Sequence, residues 1–422
     1  MVYIYTMKLS EVKDVSANQK MALEGHEPEL IRHFLPQLPD IRSHALVVSG
    51  IRRCGKSTLL RQFVNKLGRD FFYLNFDDIR LVDFTPADFG LLDRIITESR
   101  ANLLFFDEIQ SAEHWELYVR QKLDEGFQVV VTGSNASLLS RELGSRLTGR
   151  HISRELFPFS YREFCEYSGQ TAAAASLENY LEKGGFPEYL KTGNTDILVQ
   201  LQSDILYRDI AVRYAIRDAS SLRRLYVYMV SNPAQLFSPS RLTGVAGVKS
   251  PTTVLEHISF FEAAYLIHLL PCFAWSQKAQ SLAPKKAYIA DFGLVKTGSL
   301  SFSGNRGALL ENCVYNCLRS KAGAGGLSAD RDLYYFAGKN GGECDFISGP
   351  QGNRSCIQVC WELNTDNEER EINGLLEALD FFDLDSGTIL TFNSEDVILT
   401  GGKKIEVVAF WGWGEELTKL KL

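Results

Sequence analysis

Residues 45–58 read Ala-Leu-Val-Val-Ser-Gly-Ile-Arg-Arg-Cys-Gly-Lys-Ser-Thr, and this stretch decides the fold of the chain's first part. Ala45 to Ser49 is a short apolar run, the pattern of a strand buried on both faces in a parallel sheet. Gly50 to Ser57 then fits G-x-x-x-x-G-K-[ST] at every fixed position. Chemistry sets that spacing. A loop that turns its backbone N–H groups inward onto phosphate oxygens needs glycine at its tight points. The helix that follows aims the positive end of its dipole at the same oxygens. Lys56 supplies a mobile positive charge to the outer phosphates, and the Ser57 hydroxyl is offered to Mg2+. The candidate cofactor-binding residues are Gly50, Arg52, Arg53, Cys54, Gly55, Lys56, Ser57 and Thr58, with Ser57 also a metal ligand.

Outward from the loop, Phe71 to Phe76, Leu103 to Phe106 and Gln128 to Val131 repeat the apolar-run pattern with helical segments between them. Strands alternating with helices indicate a parallel α/β sheet. Residues 20–43 read as a helix leading into the first strand. Polar residues collect just after the strands, where ligands bind in open α/β sheets. Asp107 and Glu108 follow the third strand. Asp107 is the second candidate metal ligand, and Glu108 is the group that orients and polarises an attacking water. The fourth strand ends in Thr132-Gly133-Ser134-Asn135; Asn135, with Ser134 beside it, is the candidate to hydrogen-bond that water or the terminal phosphate. Arg150, with Arg146 as the other option, is the candidate to neutralise developing charge, from the same chain or a neighbouring one. The expected catalytic set is Lys56, Asp107, Glu108, Asn135 and Arg150.

The chain has 422 residues, and at about 150 residues per domain that suggests more than one. Its 45% hydrophobic and 23% charged residues are those of a globular protein with material for several cores. A net charge of −7 excludes a whole-chain basic field for nucleic acid and leaves only local basic faces. The most apolar stretch, Phe260 to Trp275, is interrupted by Glu262, His268 and Pro271, so no membrane span is expected. The N-terminus lacks the pattern of a secretion signal, and a cytoplasmic protein is expected. The eight scattered cysteines fit reduced thiols. Cys313 with Cys317 and Cys356 with Cys360 lack the C-x2-C spacing of a zinc turn, and small buried hydrophobes are expected there. Asp291-Phe292-Gly293 and Tyr207-Arg208-Asp209 spell fragments of kinase motifs, but no kinase glycine loop precedes them and Tyr214 stands where the metal-binding Asn belongs.

The ordered set GIRRCGKSTLL, FYLNFDD, LLFFDEIQ, VVVTGSNASLLS, LTGR, ELFPFSYREF, GGFPEYL, YRDIAVRYAIRD, KKAYIADFGL, GALLENCVYNCL, GGECDFI and IQVCWEL, from about residue 20 to 380, resembles the bacterial and archaeal AAA-type ATPases that carry a C-terminal domain of unknown function. The resemblance implies four parts: an AAA-type ATPase domain over 20–157, a helical region over 158–235, a winged-helix-like module over 236–300 and a nuclease-like α/β domain over 301–422. It implies ATP with Mg2+ as cofactors, a protein partner of unknown identity, and a homo-oligomer wherever a neighbour's arginine completes the site. In the middle module, Lys249, Ser250, Thr252 and Thr253 are the candidates for touching DNA; few bases and Glu256 on the same helix favour docking of a protein or a neighbouring domain instead. The last domain is similar to PD-(D/E)XK nucleases, with Glu311 and Asp345 in corresponding places. Its third element reads Gln358-Val359-Cys360, so a carboxylate and a lysine are lost, and a nuclease-like fold without nuclease activity is expected. Glu343 or Glu362 restores a metal site only if geometry permits. Three functional readings stay open: an ATP-driven switch or machine, an ATP-gated DNA-processing protein, and a non-hydrolysing nucleotide sensor or scaffold.

Overall fold

The computed structural model describes residues 7–25, 30–136, 147, 149–299, 305–322, 332–339 and 341–416. Its contacts divide the chain after Leu156 into two compact units. Among the described residues no helix is long and apolar enough to cross a membrane.

The first unit is built on a five-stranded sheet in the order β2-β3-β4-β1-β5. The strands are β1 (Ala45–Ser49), β2 (Phe71–Asn75), β3 (Leu103–Asp107), β4 (Gln128–Gly133) and β5 (His151–Glu155). Every pairing is parallel. β1, β3 and β4 are buried at every position, which is why they read as unbroken apolar runs. Helices α2 (Lys56–Leu67), α3 (Phe89–Ser99) and α4 (Trp115–Asp124) connect them. Phe72, Leu74, Leu92, Ile95, Leu104, Phe106, Trp115, Tyr118, Val129 and Val131 form one apolar cluster. Val48 pairs with Thr132, and Phe106 with Val131, so the carboxyl ends of β1, β4 and β3 lie side by side.

The helix expected over 20–43 is found earlier. Helix α1 spans Leu9–Glu24, and among the described residues a single 3-10 turn, Leu35–Gln37, stands between it and β1; residues 26–29 of the expected helix lie outside the described residues. Pro36 sits in that turn, where its fixed φ is tolerated but where a continuing helix would lack an N–H. α1 closes the free edge of β2. Ser16 Oγ donates to Tyr73 O at 2.8 Å, Lys20 Nζ to Phe71 O at 2.9 Å and Gln19 Nε2 to Asn75 O at 3.0 Å. Gln19 Oε1 accepts from Asn75 N at 2.8 Å. An open strand edge is a template for pairing with another chain, and here side chains occupy it.

The second unit opens with helices between Tyr161 and Ser231, including a wider π-helical stretch at Asp204–Val212. A three-stranded antiparallel sheet follows, ordered β6-β8-β7, from β6 (Gln235–Phe237), β7 (Ile267–Leu270) and β8 (Lys285–Ile289). The helices Pro239–Ala246 and Pro251–Ala263 lie between β6 and β7 in sequence. Beyond the helix Arg306–Ala322, a six-stranded sheet is ordered β13-β14-β12-β11-β10-β9. Its strands are β9 (Leu333–Ala337), β10 (Glu343–Ser348), β11 (Ser355–Val359), β12 (Ser386–Thr391), β13 (Asp396–Thr400) and β14 (Lys403–Ala409). β11, β12 and β14 run parallel, and the outer pairings are antiparallel. The helix Glu368–Phe382 packs on this sheet. A Cβ at Gly374 would lie 2.3 Å from Glu343 O, so only glycine lets helix and strand approach so closely.

A chain beginning at Lys20 loses Val12, Val15, Ser16 and Gln19 from the edge of β2. It is expected to be less stable by at least about 3 kcal/mol, from two buried valines and three hydrogen bonds to β2. Urea denaturation of the two chains checks this, and equal midpoints would show that α1 contributes nothing to the first unit.

Candidate nucleotide site

The phosphate loop leaves β1 through Gly50, whose φ is +150°. A Cβ there would lie 2.1 Å from Leu156 O, so no other residue fits. Arg53 and Gly55 adopt left-handed conformations, and Gly55 caps the start of α2. This places the open N–H groups of the first helical turn around the mouth of the loop, a ready anion site. Cys54 is fully buried, its Sγ donating to Leu156 O at 3.4 Å, while its carbonyl accepts from Arg32 Nη1 at 2.9 Å. Burial pushes its thiol up, against the pull of Lys56 and Arg32.

Lys56 is buried, and its Nζ donates to Gly50 O at 3.1 Å and Ile51 O at 3.2 Å. The same ammonium stands 3.7 Å from Glu108 Oε1. Ser57 Oγ donates to Asp107 Oδ2 at 2.6 Å. Asp107 also accepts from Tyr73 OH at 3.0 Å and from Thr132 Oγ1. Thr132 Oγ1 in turn accepts from Glu108 N at 2.9 Å. Glu108 holds a left-handed backbone, φ +47°, and its Oε2 accepts from Ser134 Oγ at 3.0 Å and Gln110 Nε2 at 2.5 Å. Left-handed non-glycine residues are sparsely populated and here belong to the site itself.

Two adjacent acids, Asp107 buried and Glu108 half-buried, divide the charge between them. Burial and then Glu108 push Asp107 above the usual carboxylate value. Burial also acts on Glu108, but Lys56, Gln110, Ser134 and Arg52 together hold it below its ordinary value. Lys56 is held above its ordinary value because Glu108, Cys54 and Asp107 outweigh its burial. Ser57 Oγ and Asp107 Oδ2 form a hydroxyl–carboxylate pair beside the helix terminus. That donor set suits a hard, oxygen-liganded cation such as Mg2+, which would supply charge for the phosphates.

In the second unit, Glu311 lies in the helix Arg306–Ala322, Asp345 in β10 and Gln358 in β11. Both acids bond Lys286 Nζ, Glu311 Oε1 at 2.9 Å and Asp345 Oδ1 at 2.8 Å. Gln358 accepts from Asp345 N at 3.1 Å and donates to Glu371 Oε2 at 2.6 Å. Cys360 is buried among apolar side chains. Asp291, of the kinase-like triplet, caps a helix and accepts from Gly185 N at 2.6 Å and Gly293 N at 2.7 Å.

Comparison with known proteins bears on both units. Residues 42–165 match the family described as "AAA domain", and residues 174–302 match "Domain of unknown function (DUF8612)". "Uncharacterized protein MJ1544" of Methanocaldococcus jannaschii is 34% identical over 394 residues, 87% of either chain. The chain belongs to the family of that archaeal protein. A relative from Haemophilus influenzae, "Uncharacterized protein", is 29% identical over 347 residues, covering 77% of this chain and 84% of the other. The solved "Structure of C. elegans PCH-2" aligns at a TM-score of 0.24 and 13% identity over 59% of this chain and 68% of the other, a likeness too slight to carry an argument.

Of the residues expected at the site, Gly50, Gly55, Lys56, Ser57, Asp107 and Glu108 come together. Asn135 is buried just past β4, and Arg52 pairs with Asp77 at 3.0 Å. Arg53 and Thr58 are exposed. The side chain of Cys54 turns inward, leaving only its backbone to a ligand. Arg150 is not brought to the loop of its own chain. Its carbonyl accepts from Ala45 N, at the start of β1, and its guanidinium pairs with Asp124. That is the opposite end of the sheet from the loop, about 16 Å of strand away, so Arg150 does not reach the nucleotide edge of its own chain. Arg146 lies outside the described residues. Tyr73 and Thr132 were given no role from sequence; a lone hydroxyl in each otherwise apolar strand is the signal that marks them.

A thiol pushed up by burial stays protonated and does not attack alkylating reagents. Cys54 of the folded chain is expected to remain unlabelled by iodoacetamide at pH 8 and to label on unfolding. Mass spectrometry of the loop peptide reads this directly.

Proposed function

We propose that the chain is a Mg2+-dependent ATP hydrolase acting as a molecular switch, its second unit serving for interaction rather than for nucleic-acid cleavage. One observation carries this reading: Lys56, Ser57, Asp107 and Glu108 converge around the phosphate loop at the carboxyl edge of a parallel sheet.

The roles follow from the partners. The loop N–H groups and the dipole of α2 hold the phosphates. The carbonyls of Gly50 and Ile51, which Lys56 contacts now, are weaker partners than a phosphate oxygen, so its ammonium swings to the terminal phosphate when nucleotide binds. Ser57 and Asp107 would hold Mg2+. Glu108, held ionised by Lys56 and its hydrogen bonds, takes a proton from the attacking water. Ser134 and Gln110 fix the direction of that carboxylate.

In the second unit, the order helix Ala219–Ser231, β6, two helices, β7, a short helix Gln277–Leu282, β8, with β8 central in its sheet, supports a winged-helix-like reading. The outward face of the helix Pro251–Ala263 presents Thr252, Leu255, Glu256 and Ser259. A face with a leucine and an acid and no base favours a protein surface over a DNA groove. Gln358 and Cys360, bound into β11 and the core, supply neither carboxylate nor ammonium for a nuclease reaction.

Lys56→Ala is expected to weaken ATP binding by about 10- to 100-fold, the worth of a hydrogen bond to a charged group. Glu108→Gln keeps the binding and lowers turnover by at least about 100-fold. Phosphate release and nucleotide titration separate the two; unchanged turnover in Glu108→Gln would sink the assignment of the base. Ser134→Ala is expected to lower kcat about tenfold with KM unchanged, because the carboxylate loses one of its two tethers.

A further inference from the structure

The ammonium of Lys286 lies in β8 with 3% of its side chain exposed. Charges are almost never buried so deeply unless paired. Three carboxylates from two other elements stand within 3 Å of it: it donates to Glu311 Oε1 at 2.9 Å and Asp345 Oδ1 at 2.8 Å, and it pairs with the partly exposed Glu343 Oε1 at 2.7 Å. The cluster is held from behind. Tyr288, two residues along β8, donates to Glu311 Oε1 at 2.7 Å, and Val359 N donates to Asp345 Oδ2 at 2.9 Å. Asn312, fully buried one residue after Glu311, accepts from Ile289 N at 2.7 Å and donates to Ile289 O at 2.8 Å, which locks the helix to β8.

Three carboxylate oxygens converging on one point from a helix and a strand are the surroundings of an oxygen-liganded divalent cation. Here that point is filled by nitrogen. A Mg2+ or Mn2+ bound about 2.1 Å from the same oxygens would overlap the ammonium and be repelled by it. Among the described residues no group of three or more His, Cys, Asp or Glu is arranged to hold a metal ion. Burial and then Asp345 push Glu311 up to about 8. A groove of about 390 Å³, lined by Glu311, Cys360, Trp361, Arg370 and Glu371 among others, leads from solvent to Glu311.

We propose that Lys286 is the built-in cation of this acidic cluster, occupying the position a divalent metal would take and closing the second unit to metal. The proposal stands on the three distances and does not depend on ATP hydrolysis. It deepens the reading of the second unit as nuclease-like but not cleaving, and names the residue that keeps it so.

Mn2+ titration of the nucleotide-free full chain, followed by electron paramagnetic resonance, tests it. Wild type is expected to show no bound Mn2+ that Glu311→Gln removes. Lys286→Met, neutral and of similar length, is expected to gain one equivalent, at least tenfold tighter than any wild-type binding outside the nucleotide site. Adding Asp345→Asn should abolish that gain. The nucleotide site contributes equally to every chain and cancels in the comparison. Mn2+ bound by wild type and lost in Glu311→Gln would overturn the proposal, as would a folded Lys286→Met that binds no more than wild type. If circular dichroism shows Lys286→Met unfolded, the charge-retaining Lys286→Arg decides. Recovery of the fold without Mn2+ binding supports the built-in cation, and failure to recover it overturns it. Plasmid nicking by wild type in Mn2+ would count against the non-cleaving reading alone unless Glu311→Gln also removed bound metal.

Discussion

The nucleotide edge of the first unit depends on how one buried carboxylate, Asp107, is kept in place. Its side chain is 1% exposed, and an isolated charge at that depth costs far more than a fold can spare. Three hydroxyls answer it, from Ser57 at the head of α2, Tyr73 in β2 and Thr132 in β4. Each donor comes from a different element, so satisfying the acid also fixes the register of everything around it. Tyr73 is pushed well up, by burial first and by Asp107 second, and so remains a donor at any pH the fold survives. The phosphate loop is thus braced from the sheet side before any ligand arrives, which is preorganisation in the electrostatic sense.

The chain buries two lysines among acids and uses them in opposite ways. Lys56 places its hydrogen bonds on two backbone carbonyls and keeps Glu108 at 3.7 Å, partners an incoming phosphate can replace. Lys286 is held by three carboxylates inside 3 Å, partners that carry full charge where those of Lys56 are mostly neutral. The first arrangement is exchangeable and the second is fixed. Removing one partner from a fixed, buried ion cluster leaves an uncompensated charge, which makes such clusters brittle to mutation even when they add little net stability.

Much of the first unit was legible because its physics is local. Fully buried parallel strands read as apolar runs, and the loop glycines are forced by backbone geometry at Gly50 and Gly55. What stayed hidden depends on distant partners. The sequence His-Ile-Ser-Arg-Glu of β5 gives no strand signal, because an edge strand is only half covered. Arg150 lies near the right elements in sequence, but a strand has two ends, and only the pairing of its carbonyl with Ala45 tells which. α1 buries only Val12, Val15 and Ser16, too little for an amphipathic pattern, since its purpose is to bond the edge of β2. Lys286 was readable in part: it alternates with Tyr288 along β8, a cation on an otherwise covered face. That three carboxylates meet it could come only from the fold.

The docking of α1 has a consequence for the order of assembly. Its residues leave the ribosome before those of β2, and the backbone they bond lies more than fifty positions later, Ser16 to Tyr73 being 57 apart. With so little apolar surface of its own, a helix of this length is marginal alone in water. It waits for the edge of the sheet to exist, and closing that loop comes late because its entropy is repaid only once the strand is in place. A segment synthesised before the sheet is therefore settled after it, and its arrival reports that the strands beneath it have already found one another.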